Sequence, residues 1–149
     1  MLDICTVWAW GGNADGQADV PHDLGDTHDI SAAGYHTVAL LTDGSLACWG
    51  RNDAGQCNIP AWLGPVVDIG TGDLHTIALQ DDGTVVCWGN NSFGQCDVPS
   101  DLGSVVAIGS GANHSLAVLS DGTVRAWGYN PFGATDVPAG LDAVVAVTG

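Results

Sequence analysis

A repeat of 39 residues runs through this chain without a gap, and it constrains the fold more than any other feature. The clearest marker is a Trp-Gly dipeptide, whose tryptophans are Trp10, Trp49, Trp88 and Trp127. A fixed period of this length is typical of repeat architectures, in which each unit buries its apolar surface only against its neighbours. We therefore expect one repeat array and not a series of unrelated domains.

Each unit is made of short apolar segments joined by turn residues. In the last full unit these are VVAIGSG, HSLAVL and TVRAWG, with Asp121-Gly122 between the second and third. Asp-Gly between apolar runs favours a two-residue β-hairpin, and helical periodicity is absent. The pattern predicts an all-β fold, a β-propeller of 39-residue, four-stranded blades, because a small sheet buries both faces only when other sheets stack on it. The tryptophan of each unit is predicted to pack between blades.

The repeat has a family resemblance. The segments GANHSLAVLSDGTVRAWGYNPFG and GDLHTIALQDDGTVVCWGNNSFGQCDVP resemble repeats of the regulator of chromosome condensation family, and the likeness extends over nearly the whole chain. The short units, which end in Asp-Val-Pro or Asn-Ile-Pro, are more similar to bacterial members such as β-lactamase inhibitor protein II than to the eukaryotic nucleotide exchange factor for Ran. The resemblance implies a seven-bladed ring.

The chain holds about four blades, roughly 3.8 units by length. We expect one repeat array, 1–149, with a partial first blade at 1–27, a second unit at 28–66, a third at 67–105, and a fourth with the start of the next at 106–149. Two arrangements follow from the shortfall. The first is a homodimer in which the strand VVAVTG of one copy joins the TVWAWG segment of the other, and the second is a stretch of a larger propeller assembly.

Charge and hydropathy restrict the possible partners. The net charge is −15, every acidic residue is an aspartate, and the only bases are Arg51 and Arg125. Such a surface repels phosphate, so we expect no nucleic-acid partner. No apolar run approaches the roughly 18 residues of a membrane span, so we expect no membrane insertion. The N-terminal segment shows no secretory signal, which leaves the localisation open.

Catalytic motifs are absent from the sequence. It has no nucleophile elbow and no phosphate-binding loop, so we expect neither an enzyme nor a cofactor. His36, His75 and His114 occupy one equivalent position in each unit, directly before an apolar strand. That placement favours structural hydrogen bonding over a metal site.

Four cysteines form two pairs with identical spacing, Cys48 with Cys57 and Cys87 with Cys96. Both positions hold cysteine or neither does, because the equivalents are Ala9, Ala18, Ala126 and Thr135. The pattern indicates one disulfide inside each of two blades, which favours an extracellular or periplasmic setting. The alternative is a set of buried free thiols in recently duplicated units.

Positions that differ between units are candidate binding residues, because propellers bind through variable loops on a constant frame. Exposed aromatic and arginine side chains are typical anchors of protein interfaces. The candidates are Tyr35, Arg51, Trp62, Leu74, Phe93, Asn113, Tyr129 and Phe132. Phe93 and Phe132 share one repeat position, so packing on a neighbouring blade is an equal alternative for these two.

Together these features favour a non-catalytic protein-binding module or scaffold that completes its ring by self-association. One alternative is a proteinaceous enzyme inhibitor resembling β-lactamase inhibitor protein II. The other is a fragment of a larger surface or secreted propeller protein.

Overall fold

The computed structural model describes residues 6–149, and nine β-strands are its only regular elements. The predicted first unit, 1–27, lies partly outside the described residues. The strands are β1 (Thr27–Ala33), β2 (His36–Leu41), β3 (Leu46–Gly50), β4 (Val66–Thr71), β5 (His75–Gln80), β6 (Val85–Gly89), β7 (Val105–Ser110), β8 (His114–Leu119) and β9 (Val124–Gly128). Within this span there is no helix that is long and apolar enough to cross a membrane.

The strands form three antiparallel sheets, β1-β2-β3, β4-β5-β6 and β7-β8-β9, each of which is one blade. The predicted all-β propeller architecture is confirmed, although each blade has three strands where four were expected. The stretch between the last strand of one blade and the first strand of the next consists of turns, which is consistent with its Asn, Asp, Gly and Pro content.

The hairpin at the end of each blade is one residue longer than the sequence indicated. Its turn is closed by a bond from the Gly44 amide to the Leu41 carbonyl, at 3.0 Å, and Gly44 has a φ of 82°. Gly44 therefore follows the turn in a left-handed conformation, as in a three-residue hairpin loop. The Asp43 carboxylate accepts a 2.9 Å bond from the Ser45 amide, which explains why aspartate precedes this glycine.

The hydrophobic core lies between the blades and not inside them. In each middle strand successive side chains point to opposite faces, so one set reaches the preceding blade and the other the following blade. The layer between the first two blades consists of Val38, Leu40, Val66, Ile69 and Ala78. The layer between the next two consists of Ile77, Leu79, Leu102, Val105, Ile108, Ala117 and Trp127. The structure thus shows why a blade depends on its neighbours.

A recurring set of hydrogen bonds joins each blade to the turn before it. The Gln56 carbonyl accepts bonds from the Trp88 indole Nε1, at 2.9 Å, and from the Thr76 hydroxyl, also at 2.9 Å. Thr76 is also bonded to His36 Nε2 of the preceding blade, at 2.9 Å. Gly89 follows Trp88 with a φ of 103°, and a Cβ there would lie 2.6 Å from the Leu74 carbonyl oxygen. The pairs at Trp49, Trp88 and Trp127 thus combine an inter-blade donor with a backbone that only glycine can adopt, whereas Trp10 is 87% exposed and does not pack between blades as predicted.

Candidate protein-binding site

Loops at one end of the blades bring most of the candidate binding residues together. The loop before each middle strand meets the loop after each third strand, because the Arg51 amide bonds the Tyr35 carbonyl at 2.9 Å and the Tyr129 amide bonds the Asn113 carbonyl at 2.9 Å. Leu74 bonds Asn90 in the same way in the middle blade. We call this end the loop face, formed by Tyr35, Arg51, Leu74, Phe93, Asn113, Tyr129 and Phe132.

Aromatic rings dominate one part of the loop face. Phe93 and Tyr129 come from successive blades, and their ring centroids lie 4.3 Å apart with a 44° tilt. Phe93 is 48% exposed and Tyr129 is 41% exposed, so the two rings pack on each other and still present surface to solvent. Phe132, at the position equivalent to Phe93, is 96% exposed. Packing on a neighbouring blade and contact with a partner were alternatives for Phe93 and Phe132 in the sequence. Phe93 packs on Tyr129 and also remains accessible, and Phe132 is almost fully exposed.

The other part of the loop face carries a charged and aromatic group. The Arg51 guanidinium lies 5.2 Å from the centroid of the Tyr35 ring and bonds both carboxylate oxygens of Asp53, each at 2.7 Å. The hydrogen bonds from Arg51 lower the pKa of Asp53 below its ordinary value and raise that of Arg51. Arg51 is thus held in place over Tyr35 and its charge is matched.

Trp62 does not lie on the loop face. It sits in the connection that leads to β4, and β4 begins beside the hairpin of the first blade, where the Val66 amide bonds the Gly44 carbonyl at 2.9 Å. This hairpin end is opposite the loops that carry Tyr35 and Arg51. Trp62 is 71% exposed there. The predicted set therefore divides between two ends of the blades, and Trp62 stands apart as a separate candidate.

The histidines take part in inter-blade contacts. His75 Nε2 lies 3.2 Å from the Ser115 hydroxyl of the next blade, which repeats the His36 to Thr76 contact. No described residue bonds Nδ1 of His36 or His75. Burial lowers the pKa of each to about 4, so both rings are neutral at pH 7. Within residues 6–149 no three His, Cys, Asp or Glu side chains are grouped so as to hold a metal ion.

The two cysteine pairs lie at disulfide distance. The Cα atoms are 5.3 Å apart for Cys48 and Cys57 and 5.0 Å apart for Cys87 and Cys96. Each pair connects a third strand to the turn that follows it, so each bridge lies within one blade. Geometry of this kind is compatible with an extracellular or periplasmic setting.

Sequence reasoning missed the shared acceptors at the blade boundaries, which are the main-chain carbonyls of Gln17, Gln56 and Gln95. Each accepts one indole and one hydroxyl bond from the next blade. The available signal was the constant interval of 32 residues between each glutamine and a later tryptophan, which the hydrogen bonds span. Because every residue type has a main-chain carbonyl, the sequence alone does not show which carbonyl accepts these bonds.

Comparison with known proteins agrees with this geometry. The pattern described as "Regulator of chromosome condensation (RCC1) repeat" matches residues 28–56, 66–95 and 105–134, together more than half of the chain. No curated protein matches the chain.

Solved structures of similar fold include human WBSCR16, with 20% identity, a TM-score of 0.70, and coverage of 90% of this chain and 45% of that one. Prp20p from Saccharomyces cerevisiae, studied with its binding properties to Gsp1p and histones, has 20% identity, a TM-score of 0.75, and coverage of 92% and 44%. The ectodomain of the receptor kinase CR4 from Physcomitrella patens has 28% identity, a TM-score of 0.60, and coverage of 80% and 35%. The chain spans less than half the length of each.

Proposed function

Since the chain belongs to the regulator of chromosome condensation repeat family, we propose that it is a non-catalytic protein-binding module that takes its partner on the loop face. The observation that carries this proposal is the exposed aromatic group of Phe93, Tyr129 and Phe132, supplied by successive blades. Exposed aromatic rings on a rigid frame are typical of the few residues that dominate binding energy.

Charge indicates the chemistry of the partner. The net charge is −15, and both arginines are already paired, Arg51 with Asp53 and Arg125 with Asp101. A partner with a basic surface would be attracted to such a molecule, and its association rate would fall as salt is added. Among the family's solved structures, yeast RCC1 (Prp20) has been seen bound to Kap60, which supports a protein as the partner here too.

Site-specific crosslinking tests which surface binds. A photoreactive amino acid placed at Phe132 should capture a discrete partner from the extract of the source organism, whereas the same group at Trp62, at the opposite end, should not. With that partner purified, the double substitution Tyr129→Ala and Phe132→Ala should weaken binding by about tenfold or more, because interface aromatics commonly contribute over 1 kcal/mol each. Capture through Trp62 alone, or unchanged affinity in the double variant, would contradict the loop-face proposal.

Self-association is a second candidate, favoured by the exposure of the two end surfaces of the array. Trp10 is 87% exposed, although its equivalents are packed against a preceding turn, and Val145 is 83% exposed at the other end. By the strand order, residues 144–149 correspond to a first strand and residues 6–11 to a third strand, so a middle strand belongs between them. Two copies would therefore meet through side chains and not by direct pairing of these segments.

Light scattering tests self-association. We expect a homodimer of about twice the chain mass of 15.1 kDa, and we expect Trp10→Asp, or removal of residues 144–149, to yield monomers because each change removes apolar contact area. A dispersed monomer of the unmodified chain would contradict the homodimer and favour a larger propeller that supplies the neighbouring blades itself. The enzyme-inhibitor alternative would use the same loop face, and inhibition of a purified β-lactamase by this chain distinguishes it.

A further inference from the structure

The turns that follow β3 and β6 each connect a cysteine pair to a blade boundary. In the second unit Cys57 comes directly after Gln56, whose carbonyl accepts the Trp88 indole and the Thr76 hydroxyl of the next blade. Gln56 is fully buried, and the Ala54 amide donates to its side-chain Oε1 at 3.0 Å. The bridge from Cys57 to Cys48 therefore ends one residue from the atom on which the next blade docks.

The same arrangement recurs one unit later. Cys96 follows Gln95, and the Gln95 carbonyl accepts the Ser115 hydroxyl at 2.8 Å and the Trp127 indole at 3.0 Å. The bridge again runs back to the third strand of its own blade, at Cys87. Each cysteine pair is thus placed to hold a turn whose contacts belong to the following blade.

The first unit provides an internal comparison. It has Ala9 and Ala18 at the two cysteine positions, yet the Gln17 carbonyl still accepts the Thr37 hydroxyl at 2.9 Å and the Trp49 indole at 3.0 Å. The inter-blade contact consequently forms without a bridge. What a bridge adds is a restriction on the open forms of the turn, because a crosslink removes conformational freedom from the chain that it closes.

We infer that the two disulfides act across blade boundaries, so that their redox state sets how firmly the second, third and fourth units are held to one another. A dithiol reductant opens each bridge by delivering two electrons and two protons, which break the S–S bond and form two thiols, while the dithiol closes to its own disulfide. The turn is then free to open, and the carbonyl leaves the indole and hydroxyl of the next blade more often. Phe93 lies in the second of these turns and packs on Tyr129, so the loop face is loosened as well.

Exchange of the indole N–H protons with deuterated solvent, followed by NMR, tests this inference. Mass spectrometry of the non-reduced protein should first show Cys48 linked to Cys57 and Cys87 to Cys96. The double variant Cys48→Ala and Cys57→Ala, which copies the first unit, should then speed exchange at Trp88 by about tenfold, equivalent to about 1.4 kcal/mol. Cys87→Ala with Cys96→Ala should do the same at Trp127. Dithiothreitol should speed both in the unmodified protein and leave Trp49 unchanged.

The tryptophans distinguish the inference from its competitors. Trp49 is next to Cys48 in the chain but docks on the turn without cysteines, so a bridge that acted only inside its own blade would affect Trp49 and not Trp88. A bridge that acted only on global unfolding would speed all three indoles equally. Either pattern, or four free thiols in the purified, air-oxidised protein, would overturn the inference. Equal exchange in the oxidised and reduced proteins would overturn it too.

Discussion

Replacement of Trp127 by alanine should lower the free energy of unfolding by about 3 to 5 kcal/mol, the usual cost of removing a large buried aromatic side chain. Trp127 is 8% exposed and belongs to the apolar layer between the second and third sheets. The substitution also removes the indole donor to the Gln95 carbonyl. Urea denaturation monitored by circular dichroism measures the loss.

Trp62 provides a control for this substitution, because it is the same residue type but is 71% exposed. Trp62→Ala should change the free energy of unfolding by no more than about 0.5 kcal/mol, as expected at an exposed position. Trp127→Phe helps to separate the two contributions, since it keeps most of the apolar contact and removes the hydrogen bond; its cost should be at least about 1 kcal/mol but below that of Trp127→Ala. A loss below about 1 kcal/mol for Trp127→Ala would mean that the ring does not lie between blades.

Acidification should destabilise the fold between pH 6.5 and 4. Burial lowers the pKa of His36 and His75 from 6.5 to about 4 in the folded chain, so over this interval the unfolded chain binds protons that the folded chain does not. Stability is therefore complete above pH 6.5 and falls as the pH falls, by up to about 1.4 kcal/mol per pH unit for each histidine. Urea midpoints measured at successive pH values from 7 to 4 would show this slope.

Single substitutions show which residue causes the dependence of stability on pH. His75→Gln should lower the stability at pH 7, because it removes the contact with Ser115, and should remove its share of the pH dependence. Aspartates such as Asp43, whose hydrogen bonds from Ser45 lower its pKa below 3.8, lose their contribution only at more acidic pH and so act outside this interval. An unchanged slope in His75→Gln would contradict the assignment of acid sensitivity to His75.

The sequence was sufficient to predict the parts of the fold that depend on side-chain pattern. The 39-residue period, the Asp-Gly turns and the recurring tryptophans indicated stacked β-blades, because a small sheet that recurs without helices buries both faces by packing on its neighbours. The equal spacing of the cysteines predicted that Cys48 faces Cys57 and Cys87 faces Cys96. The structure places each pair at disulfide distance.

Features that depend on the backbone were beyond the sequence pattern. The turns after Gly50 and Gly89 replace the expected fourth strand, because their amides bond to asparagine side chains, as when Asn52 Oδ1 accepts from the Cys57 amide at 2.8 Å. Such local bonds compete with strand pairing. Trp62 was grouped with Tyr35 because both are exposed and variable, but exposure does not tell which end of a sheet a connection follows. Only the topology separates the two.

The carbonyl acceptors have a consequence for how such an array can change. Because the next blade docks on a main-chain oxygen, the docking bonds themselves do not require glutamine, whose side chain instead bonds within its own turn, and the fourth unit has Ala134 at this position. The matching donors, a tryptophan and a hydroxyl, lie in every described blade. Each 39-residue unit thus carries the same donors toward the preceding unit and the same acceptor toward the following one. Units that are duplicated, inserted or reordered should therefore pack on one another, and their loops can differ while the frame stays constant.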